Sequence, residues 1–246
     1  MKAWWGRKNA PLQRSGRDTL SAMNYVFHFG DIWAARDEFL AGTLYTLRLS
    51  AVSMVLSLFI AVFGALARTA GPRWLSIAVG AYVEFIRNTP FLVQIFVIFF
   101  GLPVIGLRVD ADTGALLAMV LNGSAYTIEI VRAGIESIDY GQAEAARALG
   151  LRSFVIFRKV ILPQALRVVF APLGSQFILL MLNSSIVSVI SADDLTSAAQ
   201  DVQGRTFRSF EAYLAAIGIY LVLSLIFTAV FAGVHRVAFG ARGVRS

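Results

Sequence analysis

Apolar residues run through most of this chain in long stretches, and polar residues are gathered into the short connections between them. A helix needs roughly 20 consecutive apolar residues to cross a bilayer. Five stretches reach that length, at about 42–67, 74–104, 113–131, 168–190 and 210–234. The pattern therefore predicts an all-α, polytopic membrane protein with five transmembrane helices.

The composition supports a membrane protein and excludes several kinds of chemical site. Hydrophobic residues make up 57% of the 246 residues and charged residues 15%, which would be unusual for a soluble domain. The absence of cysteine excludes disulfides and thiolate metal sites, and the isolated His28 and His235 do not indicate a metal pair. The phosphate-binding sequence GxxxxGK[ST] is also absent, so we expect a chain that is not an enzyme and holds no cofactor. Any ATP hydrolysis would belong to another subunit.

Arginine and lysine predict the orientation, because the cytoplasmic loops of membrane proteins are enriched in both. They follow the first span, at Arg68 and Arg73, and recur between the third and fourth spans and at the C-terminus. The cluster between the third and fourth spans consists of Arg147, Arg152, Arg158, Lys159 and Arg167. With five spans, this pattern places the C-terminus in the cytoplasm and the N-terminus outside. The net charge of +7 is a topology signal, and no nucleic-acid-binding motif accompanies it.

Residues 1–22 conflict with this orientation, because their basic side chains would lie on the outer side. Either the protein begins at Met23 or the segment is a true extension, and the sequence leaves both open. Residues 31–40 mix charged with apolar and aromatic side chains, which predicts a helix at the outer membrane surface. The predicted organisation is an N-terminal part at 1–41, a transmembrane domain at 42–236 and a cytoplasmic tail at 237–246.

A polar segment at 139–163, which we call the island, separates the third and fourth spans. Residues 142–149 are rich in alanine and favour a helix, and Gly150 stands where a helix ends in the left-handed conformation. Ser153 can cap a second short helix at 154–161, which Pro163 should keep from continuing into the next span. The island is therefore predicted to be a helix, a glycine turn and a second helix, outside the bilayer.

The residues of the island resemble the EAA loop of the membrane subunits of ABC-type importers, the loop that docks on the ATPase. The resemblance rests on Glu144-Ala145-Ala146, Gly150 and Ile161-Leu162-Pro163. Three further segments, at 85–103, 126–142 and 176–190, resemble the polar amino-acid permeases of that superfamily. The motifs occur in the order of the family from about residue 42 to the last span.

The resemblance implies the fold of a type I ABC importer permease and uptake of polar amino acids or related small compounds across the bacterial inner membrane. It implies cytoplasmic ABC ATPase subunits, a second permease subunit, identical or homologous, and a solute-binding protein outside. The expected contacts with the ATPase are Glu144, Ala145, Ala146, Leu149 and Gly150. Many relatives carry a lysine where this chain has Leu182, so the charge of the substrate stays open.

Polar residues inside the predicted spans mark where a substrate path should be sought, because charge is costly in lipid. The candidates are Glu84, Arg87, Asn122, Glu129, Asn183 and Ser185. Glu84 precedes Arg87 by three residues, and Glu129 precedes Arg132 by three. Each acid can instead pair with its arginine and hold helices together, so both interpretations stay open. Asn88-Thr89-Pro90 is predicted to break the second helix, which exposes backbone groups that must face protein or water.

Two other classes of protein fit the same composition. A secondary transporter or channel for small polar solutes would have similar spans without needing the island, and a membrane scaffold would need no polar path. We find no internal repeat, which disfavours an inverted-repeat secondary transporter.

Overall fold

The computed structural model describes residues 25–240, and within this part of the chain all regular structure is helical. The α-helices are α1 (Gly30–Ala34), α2 (Arg36–Ala70), α3 (Arg73–Arg87), α4 (Phe91–Val104), α5 (Ala111–Glu136), α6 (Tyr140–Ala148), α7 (Ser153–Ile156), α8 (Leu162–Asn183), α9 (Leu195–Thr206) and α10 (Ser209–Phe239). A π-helical turn at Phe157–Ile161 joins α7 to α8, and a 3-10 helix at Ser184–Ile190 extends α8. The expectations for residues 1–22 and for the end of the C-terminal tail lie outside the described residues.

Four helical segments are long and apolar enough to cross a membrane: Arg36–Ala70, Ala111–Glu136, Ser153–Ile190 and Ser209–Phe239. Helices α3 and α4 pass the same test together and form a fifth crossing if they count as one span, although they meet at a bend of 107°. The predicted all-α fold with apolar spans is confirmed. The second span is broken at Asn88-Thr89-Pro90, as the sequence predicts.

Helices α2 and α5 run parallel at the centre of the fold. Contacts at successive heights define their register: Tyr45 with Asp112 (2.7 Å), Ser57 with Val120 (3.2 Å) and Arg68 with Glu129 (2.9 Å). The buried face of α2 carries small side chains at helical spacing, namely Ser50, Ser53, Ser57, Ala61 and Ala65. Small residues let two helix backbones approach closely. A Cβ on Gly64, for example, would lie only 2.6 Å from Ile128 Cδ1.

Helix α8 runs antiparallel to α5, and α10 runs antiparallel to α8. The first pairing is defined by close approaches of Gly134 to Val169, Gly123 to Leu180 and Gly114 to Ile190. The second is defined by ring contacts of Phe177 with Phe227 and of Phe170 with Phe239. The start of α2 and the start of α5 therefore lie at the end of the bundle opposite the island, and the end of α10 lies on the island side.

The structure corrects the predicted second helix of the island in two respects. Ser153 does not cap it, because the helix begins at Ser153 itself, after Arg152, without a side-chain capping bond. Pro163 does not end it either, since the π-turn leads directly into α8. Proline lacks a backbone N–H and therefore cannot donate a helical hydrogen bond. Pro163 lies in the first turn of α8, where this donor is not needed, and the wider π-turn before it gives the ring room.

The predicted surface helix at 31–40 is divided into two. The chain turns at Ala35, so α1 ends at Ala34 and the long helix α2 begins at Arg36, earlier than the predicted start of the first span. Trp33 is 73% exposed, which fits a position at the membrane interface. The first turns of α2 pack against α9 and α10, with Phe39 buried between them.

Helix α9 lies at the end of the bundle opposite the island and is capped by the buried Asp194. Asp194 Oδ1 accepts a hydrogen bond from the N–H of Ser197 at 2.9 Å. Asp194 Oδ2 accepts hydrogen bonds from the N–H of Thr196 and the hydroxyl of Tyr220, both at 3.1 Å. Burial raises the pKa of Asp194 above its usual range, and the hydrogen bonds oppose that rise. Because Tyr220 belongs to α10, the same carboxylate holds α9 against α10.

Candidate functional site

The first helix of the island, α6, ends in the glycine turn that the sequence predicts. Gly150 N–H donates to Arg147 O at 2.9 Å and Leu151 N–H donates to Ala146 O at 3.2 Å, which is the hydrogen-bond pattern of a Schellman motif. Gly150 has a φ of +75°, so its predicted left-handed conformation is confirmed. A Cβ there would meet nothing within 4 Å, so only the backbone conformation requires glycine.

The two halves of the island pack together through a small apolar core. Ala143 and Ala146 are buried against Ile156, with Val160 and Ile161 alongside. Ala146 therefore packs inside the island, and its burial does not fit the predicted direct contact with the ATPase.

The other residues expected to contact the ATPase are exposed. Leu149 is 80% exposed, and Glu144, Ala145 and Gly150 also lie at exposed positions. Phe154, which the sequence did not single out, is 71% exposed beside them. Large apolar side chains that remain in water indicate an interaction surface. We call this surface the exposed face of the island.

A continuous helical segment joins the island to the bundle. It runs from Ser153 to Ile190 and contains α7, the π-turn, α8 and the 3-10 helix. Gln164 of α8 donates from Nε2 to Gln142 Oε1 of α6 at 2.6 Å, so both halves of the island are attached to α8. The island is therefore continuous with the bundle through α8.

The break between α3 and α4 is stabilised by a buried glutamine. Gln94 Nε2 donates to Ile86 O at 2.8 Å, to Thr89 O at 3.1 Å and to Thr89 Oγ1 at 2.8 Å. These bonds satisfy acceptors that the break leaves without partners in their helix. Asn122 of α5 donates from Nδ2 to Gln94 Oε1 at 2.9 Å, and both amides are buried. The Asn122 side chain therefore joins α5 to the break.

Glu84 and Arg87 do not form the predicted local ion pair within the described part of the chain. The Glu84 carboxylate accepts from Asn88 Nδ2 at 3.0 Å, and the Arg87 guanidinium lies 5.4 Å from the centre of the Tyr126 ring. Both residues are exposed. In the sequence they lie in the central part of the second predicted span, at 74–104.

Glu129 forms the predicted pair with Arg132, at 2.7 Å, and binds a second arginine as well. Arg68, at the end of α2, donates to Glu129 Oε1 at 2.9 Å, and Arg132 also pairs with Glu136. The Glu129 side chain is 17% exposed, so water and salt screen these interactions less than they would at the surface. The network joins the ends of α2 and α5 on the island side.

Asn183 and Ser185 lie where α8 changes into the 3-10 helix. Ser185 Oγ donates to Leu182 O at 2.8 Å, within the same helical segment. Among residues 25–240, no hydrogen bond joins any two of the six path candidates. The structure therefore does not join them into one hydrogen-bonded network.

The sequence pattern alone does not identify Gln94 and Arg68 as members of these networks. Gln94 stands alone in an apolar helix, and the signal that could have identified it is an isolated amide beside a predicted break. Arg68 follows the first predicted span, and in the sequence it indicates only that this loop is cytoplasmic. Its pairing with Glu129 depends on the parallel packing of α2 and α5, which the sequence does not show.

Comparison with known proteins identifies the family. Residues 39–237 match the family described as "Binding-protein-dependent transport system inner membrane component". The chain belongs to this family. It is an inner-membrane permease subunit of a binding-protein-dependent importer, which rules out the secondary transporter, channel and scaffold alternatives.

The curated relatives of this permease match it over most of their length. The "Probable glutamine ABC transporter permease protein GlnM" of Bacillus subtilis is 39% identical over 187 residues, covering 76% of this chain and 87% of the relative. The "Glutamine transport system permease protein GlnP" of Escherichia coli K12 is 35% identical over 213 residues, covering 85% of this chain and 97% of the relative.

Solved structures share the fold of this permease. A crystal structure of an amino acid ABC transporter with histidines matches with a TM-score of 0.82 and 36% identity, covering 86% of this chain and 99% of that chain. An inward-facing structure of the MetNI methionine ABC transporter matches with a TM-score of 0.71 at 19% identity, over the same shares of the two chains. The second likeness bears on the fold alone.

Proposed function

We propose that this permease takes up polar amino acids or related small compounds in an ATP-driven importer. The support comes from relatives named as glutamine and amino-acid permeases and from the 36% identical amino acid ABC transporter. A relative at 34% identity is named as the nopaline transport permease NocM of Agrobacterium fabrum. Similar chains therefore carry different substrate names, and the proposal extends to the class of substrate only.

The exposure of Glu84 and Arg87 within the second apolar span supports the proposal of a path through the membrane. Charged side chains that face lipid inside a span are costly, so they need water or another protein surface. A second permease subunit, identical or homologous, packed at this face would enclose a polar path between the two chains. The broken helix beside the two residues would contribute polar backbone groups to that path.

The other path candidates have different roles in this proposal. Asn122 and Glu129 are engaged in bonds between helices, so they hold in place the elements that border the path. Asn183 and Ser185 stay candidates for direct contact on chemical grounds, since both are polar and lie within a helical segment that is long and apolar enough to cross a membrane.

The exposed face of the island is the proposed docking surface for a cytoplasmic ABC ATPase. An exposed helix with Ala145 at its surface and Leu149 beside it can lie in a groove of a partner. The ATP chemistry would then belong to that partner. A solute-binding protein would dock at the opposite end of the bundle, near α9.

The proposed orientation follows from the positive charge of the island and of the C-terminal end. Five crossings with the island inside place the N-terminal part outside and the tail after residue 236 in the cytoplasm. The parallel course of α2 and α5 and the antiparallel course of α8 and α10 agree with this arrangement.

In the proposed mechanism, ATP binding closes the ATPase subunits and moves the docked islands. The continuous segment from Ser153 to Ile190 would carry this motion into the bundle and convert an inward-open path into an outward-open one. Substrate released by the binding protein would enter at this stage, and ATP hydrolysis would reset the path. Such coupling requires that ATP and substrate each favour one of the two global states.

Reconstitution tests this function. The permease, its ATPase and its binding protein are placed in liposomes with radiolabelled L-glutamine, L-glutamate, L-arginine, L-histidine or L-serine. We expect uptake of at least one of them that requires both ATP and the binding protein. Uptake of none of the five, or uptake that proceeds without ATP, would contradict the proposal.

A further inference from the structure

A small pocket lies between α2 and α5 at the end of the bundle opposite the island. Polar side chains of Tyr45, Arg48 and Asp112 face apolar ones of Leu49, Val52 and Leu116 around a cavity of about 220 Å³. Pockets for drug-sized ligands usually have roughly 300–1,000 Å³, so this smaller pocket has the size for one polar group of a ligand. The pocket is separate from the helix break and from the Glu129 network.

Arg48 is the unusual residue of this pocket. It lies about 18 Å along the axis of α2 from Arg36, inside a helix that is long and apolar enough to cross a membrane. The side chain is exposed and has no hydrogen bond or ion pair within the described residues. A charged group at such a position needs water or an opposite charge, and membrane proteins keep such residues chiefly at functional sites.

Asp112 supplies the opposite charge on the α5 side of the pocket. The Tyr45 hydroxyl donates to its Oδ1 at 2.7 Å, which orients the carboxylate. Its Oδ2 accepts no hydrogen bond within the part of the chain that the structure describes. The pocket therefore presents a guanidinium with all its donors available and a carboxylate oxygen with its acceptor capacity available.

We propose that this pocket binds the zwitterionic head of an α-amino acid as the substrate enters the permease. Arg48 would donate to the α-carboxylate in the paired geometry that guanidinium groups favour, and Asp112 Oδ2 would accept from the α-ammonium. The inference rests on the proposed uptake of amino acids and adds a recognition site to it. Every α-amino acid carries the same α-carboxylate and α-ammonium groups. The pocket would therefore select for α-amino acids as a class, and another part of the importer would select among their side chains.

The test uses the complete reconstituted importer with Arg48→Gln and Asp112→Asn. The probe is the radiolabelled amino acid of the five-member panel that the wild-type importer takes up fastest. We expect uptake at low substrate concentration to fall about ten-fold or more in each variant, the change expected for loss of one charge-assisted hydrogen bond. The number of substrate molecules taken up per ATP hydrolysed should fall as well, and Arg48→Lys should recover part of the uptake because it keeps the charge.

Arg108→Gln is the matched control, because it removes the same charge from the same end of the bundle outside the pocket. Its uptake should equal that of the wild type. If Arg48→Gln or Asp112→Asn behaves like this control, the pocket does not bind substrate. If both variants lower only the yield of assembled importer, with uptake per complex unchanged, the role is structural and the inference is wrong. A wild-type importer that takes up no amino acid contradicts the proposed function itself, and the inference falls with it.

Discussion

Asn122 Nδ2 donates a 2.9 Å hydrogen bond to Gln94 Oε1, which joins the middle of α5 to the point where the second apolar span is broken. Gln94 in turn donates to Ile86 O and to Thr89. A broken helix in a membrane leaves backbone acceptors without partners, and these must be satisfied inside the protein. The pair therefore makes the 107° bend a defined feature of the fold.

Replacing Gln94 by leucine should lower the free energy of unfolding by about 1–3 kcal/mol, because buried acceptors and the Asn122 amide lose their partner. Thermal unfolding of the purified importer in detergent measures this change. Ser185→Ala is the control, since that hydroxyl bonds only within its own helical segment, and it should remain close to the wild type. A Gln94→Leu permease as stable as the control would show that the break is held by other contacts.

Glu129→Gln and Glu84→Gln should have different effects. The first leaves Arg68 and Arg132 without their shared carboxylate, and we expect a loss of about 1–3 kcal/mol in unfolding free energy. The second removes a charge that has no ion pair within the described residues, so stability should change little while the affinity for uptake changes. Unfolding temperature and substrate dependence of uptake are measured for both. Two variants with normal stability and normal uptake would remove both proposed roles.

Gly150→Ala should cost about 1 kcal/mol, because a Cβ resists a positive φ even where space is available. Gly150→Asn should cost less, since asparagine tolerates the left-handed conformation better. We expect the ATPase activity that is stimulated by substrate to fall in the order glycine, asparagine, alanine, valine. Full uptake and full stimulation in Gly150→Val would mean that the turn has no part in coupling.

Ala145→Asp and Ala146→Asp place the same charge on neighbouring residues with opposite exposure. Ala145 is exposed, so its variant should fold normally and lose the ATPase in pull-down experiments. Ala146 is buried against Ile156, so its variant should destabilise the island itself, which limited proteolysis would detect. Retention of the ATPase by Ala145→Asp would indicate that the exposed face of the island is not the docking surface.

Single cysteines in this cysteine-free chain test the orientation. We expect Asp201→Cys, exposed on α9, to react with an impermeant maleimide from outside intact cells. Ser153→Cys, exposed on the island, should react only after the membrane is opened. Labelling of Ser153→Cys in intact cells would reverse the proposed topology.

The apolar spans, the broken helix and the glycine turn could be predicted from the sequence because each depends on a short stretch of chain. The length of an apolar stretch determines whether a helix can cross a bilayer. The ring of Pro90 disfavours continuation of its own helix through local covalent geometry. Gly150 follows an alanine-rich helix and ends it locally. The prediction that Pro163 ends the second helix of the island was wrong, because the π-turn before Pro163 allows the helix to continue into α8.

Only the tertiary structure decided which polar residues meet. Two acid–arginine pairs with the same spacing have different contacts. Glu129 binds both Arg132 and Arg68. Glu84 instead accepts a hydrogen bond from Asn88, and Arg87 lies over the ring of Tyr126. Likewise, Arg48 and Asp112 line the same pocket because α2 and α5 run parallel in a particular register. That register comes from close packing of small residues along two helices far apart in sequence, and no local pattern contains it.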